Sequence, residues 1–110
     1  MALDVENLAS QMLGAALPIL EQHAQDAESF AKTEFTKIAQ TIVSIGEQLA
    51  AGQIDQQQAG LLLDMQTHAS RNVLLTLKGL ALVAAEAAIN AALDVVKTAV
   101  NTALKFTLIA

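Results

Sequence analysis

Apolar residues recur along this chain at steps of three and four, and nowhere in the strict alternation of a half-buried strand. In the first half one such line runs Leu20, Ala24, Ala27, Ala31, Phe35, Ile38, Ile42, Ile45 and Leu49. Because 3.6 residues complete a helical turn, the line is a single seam. Glu21, Gln25, Glu28, Lys32, Lys37, Gln40 and Glu47 fall on the opposite, solvated side. A second line runs Leu62, Met65, Ala69, Val73, Leu77, Leu80, Ala84 and Ala87. Between the two lies Ala51-Gly52-Gln53-Ile54-Asp55. Gly52 suits the left-handed position that ends a helix, Asp55 with Gln58 forms a capping box, and Ile54 with Ala59 forms a hydrophobic staple. The pattern predicts an all-α single domain over residues 1–110, an antiparallel helical hairpin with helix one over about 4–50, a turn at 51–55 and helix two over about 56–108.

Folding the chain about that turn brings together residues whose numbers sum to about 107. Ile45 then meets Leu62, Ile42 meets Met65, Ile38 meets Ala69, Phe35 meets Val73, and farther along Leu20 meets Ala87. Two seams read independently thus agree in register. Pro18 interrupts the first helix: it has no N–H for the ladder and disfavours helical geometry at Leu17, and Gly14 weakens the same turn. Either a short helix from Asp4 to Ala16 precedes a second one, or one helix is kinked; the expectation is a distinct bend near Pro18.

Helix two carries a further apolar line at seven-residue spacing, Leu75, Leu82, Ile89, Val96 and Ala103, flanked by Leu93 and Val100. A hairpin alone leaves this line uncovered. Each large aliphatic side chain is worth roughly 1.5–3 kcal/mol on burial, so exposing five or six forgoes on the order of 10 kcal/mol, as much as a domain's net stability. The sequence therefore predicts a homo-oligomeric helical bundle with Leu75, Leu82, Ile89, Leu93, Val96 and Val100 as the oligomer interface. Charge on the same helix is confined to a polar seam, Glu86, Asn90, Asp94, Lys97, Asn101 and Lys105, at helical spacing. Buried charges need partners and can fix register, which makes a register-setting seam between protomers the preferred reading over a solvated outer face or a channel lining. Alanines at 81, 84, 85, 87, 88, 91 and 92 permit close helix approach and are also good helix formers.

Composition removes most chemistry from consideration. The chain is 54% hydrophobic and 15% charged, with three Phe and neither Trp nor Tyr, so it is ordered, helix-forming material. Its net charge of −5 is uneven: residues 1–55 hold eight acids against Lys32 and Lys37, residues 56–110 three acids against four bases. With no basic cluster, a nucleic-acid partner is not expected. Without cysteine there are no disulfides and no thiolate metal site. The acidic Met1-Ala2-Leu3-Asp4-Val5-Glu6 start is unlike a secretory signal, and Lys78, Glu86, Asp94, Lys97 and Lys105 interrupt any run long enough to cross a bilayer. His23 and His68 are the only histidines. About 16 helical positions separate them in the folded-back register, roughly 24 Å at 1.5 Å per residue. Each has one acid in helical reach, Asp26 and Asp64, and the Glu-x-x-His pattern of di-iron bundles is missing. No serine sits in a nucleophile arrangement and no glycine-rich phosphate loop occurs, so the chain is read as non-enzymatic, with no cofactor and no metal.

These features point to a structural or assembly protein that self-associates through its second helix, in the cytoplasm or within a larger particle or filament of the kind that viruses and injection machines build. Two alternatives share the same motivation. One is a membrane-active or pore-lining protein, suggested also by Phe106, Leu108 and Ile109 at an unprotected end. The other is a helical module that docks on a different protein.

Overall fold

The computed structural model of the chain describes residues 3–24 and 26–110. It has four helices, α1 (Val5–Glu21), α2 (Ala27–Ala50), α3 (Gln56–Leu74) and α4 (Leu82–Leu104), and no strand among the described residues. The turn between α2 and α3 follows the capping chemistry read from the sequence. Gly52 is left-handed at φ 71. The Gln58 backbone N–H donates to Asp55 Oδ1 at 2.8 Å, and the Asp55 N–H donates to Gln58 Oε1 at 3.0 Å. Ala59 is buried and Ile54 is half-buried against the core, the burial a staple requires.

Each of the two expected rods is divided. Helix one does not end at Pro18, which lies inside α1; the break comes about one turn later, between Glu21 and Ala27. Proline's fixed φ is itself helical; its missing N–H and its ring against the Gly14 carbonyl are a cost that α1 bears, and the helix runs on to Glu21. There the N–H groups of His23 and Ala24 both donate to the Leu20 carbonyl, and Asp26 and Glu28 place negative charge at the start of α2, where the helix dipole favours it. Gln25, assigned by the sequence to the solvated face, lies outside the described residues.

Helix two does not run unbroken over 56–108 either. It stops at Leu74, where the Thr76 hydroxyl donates to the Val73 carbonyl at 2.7 Å, and resumes at Leu82. Gly79, at φ 89, makes the reversal between them. The far end comes at Leu104, because Lys105 adopts the left-handed conformation at φ 63 and turns the chain back.

The two breaks lie at the same height. A Cβ added at Gly79 would stand 2.7 Å from the His23 carbonyl oxygen, so the two loops touch. The long hairpin is thereby folded double at its middle: α1 lies against α4, α2 against α3, and α1 against α2, while α3 and α4 touch along only a short stretch. The particle measures 42 × 22 × 20 Å. A continuous helix over 56–108 would alone be about 80 Å long.

Burial shows which parts of the pattern hold. Leu20, Ala24, Ala27, Ala31, Phe35, Ile38, Ile42 and Ile45 are all in the core, and Leu49 is half-buried. On α3 the buried positions are Ala59, Leu63, Ser70 and Leu74, whereas Leu62, Met65 and Ala69 of the expected seam are exposed. The register survives nonetheless: Thr41 Oγ1 donates to Gln66 Oε1 at 3.4 Å, a pair whose numbers sum to 107. Helix α3 has turned about its axis, giving Ala59, Leu63, Ser70 and Leu74 to the core and leaving Leu62 and Met65 at its edge. The same Gln66 donates from Nε2 to the buried Ser70 hydroxyl at 3.0 Å, so that hydroxyl is paired, whereas Arg71 Nε on the next residue is buried without a partner among the described residues.

Candidate functional site

Doubling the hairpin redistributes the residues assigned to an oligomer interface. Ile89, Val96 and Val100 are buried within the chain, in the same core as Leu8, Met12, Ala16 and Leu20 of α1. The line does find cover, and the cover comes from the chain's own first helix. Leu75 and Leu93 are half-buried, and Leu82 alone of the set is exposed, at 49%.

The polar seam turns away from that core. Glu86, Asn90, Asp94 and Lys105 are exposed, Lys97 and Asn101 half-buried. Two of its members have partners inside the chain. Glu86 Oε1 accepts from Arg71 Nη1 at 3.4 Å across the gap between α4 and α3. Asn101 holds the segment after α4: its Oδ1 accepts from the N–H of Leu108 at 2.9 Å and of Ile109 at 3.0 Å, and its Nδ2 donates to the Ile109 carbonyl at 2.9 Å. Ile109 is buried, and Phe106 and Leu108 are half-buried. The apolar end that the sequence left unprotected is tied down.

Because α3 and α4 diverge, a cleft of about 530 Å³ opens between them. Leu63, Asp64 and Thr67 line one wall, Asn90, Leu93 and Asp94 the other, and Leu108 with Ile109 closes one side. A smaller continuation holds His68, Arg71 and Glu86. His23 lies elsewhere, beside Phe30, Lys78 and Gly79 where the two loops meet. The structure thus keeps the two histidines in separate clefts. No group of three or more acidic or histidine ligands converges among the described residues.

The sequence missed the outward face of α3. Leu61 and Met65, four residues apart on one side of the helix, are 56% and 67% exposed, with Leu62 exposed next to them. Leu62, Met65 and Ala69 form the apolar wall of a groove of about 610 Å³ whose other wall, from α2, is Lys37, Gln40, Thr41, Ser44 and Gln48. At the start of α4, Leu82 and Val83 are also open, Val83 at 79%. The signal was present: α3 has apolar residues at 59, 61, 62, 63 and 65, more than one seam can hold. By contrast the outer side of α2 is polar as expected, with Glu28, Lys32, Lys37, Gln40 and Glu47 all exposed.

Searches against protein-family models, curated proteins and solved structures give no match for the chain. No helix among the described residues is long and apolar enough to cross a membrane.

Proposed function

We propose that this chain is a non-enzymatic structural protein that self-associates through the half of its sequence after the 51–55 turn. The observation that carries the reading is the outward face of α3, where Leu61, Leu62 and Met65 stand uncovered together while the neighbouring outer face of α2 is charged. Isolated exposed apolar residues are ordinary, but three large ones contiguous on one helix form a surface of the kind that packs against another helix. Leu82 and Val83 extend the uncovered apolar surface at the start of α4. A second copy suits the α3 face chemically. Two α3 helices crossing antiparallel about Met65 set Leu61 of one against Ala69 of the other. Such a homo-oligomer of hairpins serves as a part in a larger helical particle.

The test is sedimentation of the wild-type chain and of Met65→Asp across a concentration series, with circular dichroism as a fold check. Met65 is mostly in solvent, so the Asp variant keeps its helicity and loses association by at least about tenfold in dissociation constant, the effect of one desolvated charge in an apolar contact. A wild-type chain that stays monomeric throughout, or a Met65→Asp chain that associates equally well, overturns the reading.

A further inference from the structure

We infer that the four-helix form opens at its two breaks into the long hairpin, and that two open copies exchange halves, the α1–α4 pair of one packing on the α2–α3 pair of the other. This goes beyond the α3 reading: the partner is again a second copy, but the surface exchanged is the α1–α2 contact and not the outward face of α3. Three independent observations converge on it. The breaks after Glu21 and after Leu74 lie side by side, as the His23 carbonyl against Gly79 shows, so both rods unfold about one line. The pairings α1 with α4 and α2 with α3 are those of the unbroken hairpin, so opening disturbs neither. The buried line Leu20, Ala24, Ala27, Ala31 keeps helical spacing straight through the first break, and residues 19–45 around it include no glycine or proline.

Opening removes α1 from α2 and separates Arg71 from Glu86, which stand 3.4 Å apart when folded. Fifteen positions apart in a continuous helix, they would be about 22 Å distant. In the exchanged dimer each lost contact re-forms with the other copy, so the two states have the same core and differ only in the loops. Exchange of identical elements is a low-cost route to dimers for that reason. Gly79 sets the balance. Folded, it needs φ 89 and has no room for a Cβ; in a continuous helix alanine is the better residue.

The experiment uses Gly79→Ala and the wild-type chain, each with spin labels on cysteines placed at the exposed Ser10 and Gln40; the sequence has no other cysteine. Labelled protein is diluted into unlabelled protein so that only the distance within one copy is read. Folded, α1 and α2 lie side by side and the labels are within about 25 Å; in the open hairpin, 30 residues of helix separate them by about 45 Å. The expected result is a dimer fraction raised roughly fivefold or more in Gly79→Ala, in keeping with the helix preference of Ala over Gly, with the long distance in the dimer. Should Gly79→Ala fail to fold, the wild-type chain refolded at high concentration decides: its dimer carries the long distance. Associated chains that keep the short distance overturn the exchange and leave self-association through α3 standing. Chains that remain monomeric at every concentration overturn both.

Discussion

Asn101 shows what a single side chain can hold. It stands on the outer side of α4, and its amide reads two successive N–H groups and one carbonyl of the segment 108–109, as a strand neighbour would. This works because Lys105 turns the chain back through a left-handed conformation that only glycine adopts without cost. Asn101→Ala removes three hydrogen bonds, leaves the Ile109 amide without its acceptor and leaves the Leu108 amide only the Phe106 carbonyl at 3.1 Å. Unsatisfied groups of this kind cost about 1–3 kcal/mol each when buried. Hydrogen exchange at those two amides is expected to accelerate by at least tenfold while α4 keeps its protection. Unchanged exchange would show that packing of Ile109, not the amide, holds the segment. Asn101 was legible as polar and helical in the sequence; its partner was not, since nothing local marks a contact made seven or eight residues on by a returning chain.

At the scale of the element, the capping box at Asp55 and Gln58 was readable because its chemistry lies within four residues. The two missed breaks were not. Ala24 and Ala27 are buried in the bent chain and would be buried in a straight one, so the apolar seam passes over the first break without a mark. Asp26 and Glu28, acids before and within a first turn, were the local hint there, and Gly79 was the hint at the second. Pro18 carried the opposite error: a strong breaker by type, it sits in the last turn of α1 and does not end it. Its effect is a cost within a helix that forms anyway. Pro18→Ala is therefore expected to stabilise the protein by about 2 kcal/mol, less than the full interior penalty because proline also restrains the unfolded chain. Thermal unfolding measures it as a rise of several degrees in Tm. A fall in Tm would mean that the break before α2 depends on the proline.

For the whole molecule the decisive event is the doubling of the hairpin. It turns Ile89 from an interface residue into a core residue while leaving Leu82 on the surface at 49% exposure. The two positions, seven apart on one line, should then behave differently. Ile89→Asp places a charge among buried aliphatics and is expected to unfold the protomer, losing helical signal at room temperature, since such changes cost several kcal/mol against a net stability of about 5–15. Leu82→Asp is expected to change stability by less than about 1 kcal/mol. Were both variants folded and merely dissociated, Ile89 would have to lie between protomers after all. The other pattern feature moved by tertiary structure is α3: turning about its axis, it gives Leu63 and Ser70 to the core and leaves Leu61 and Met65 outside.

The sequence by itself determined the all-helical class, the turn at 51–55 with its caps, the buried line from Leu20 to Ile45 and the antiparallel register about the turn. Each follows from spacing or from hydrogen bonds between near neighbours. Tertiary structure alone decided that the rods break at one height and fold over, and hence which apolar line of α4 is covered and by what. Periodicity records that a helix face must leave water; it carries no label for the surface that covers it. In this chain α1 and a second copy are equivalent answers to that need until the long-range packing is known.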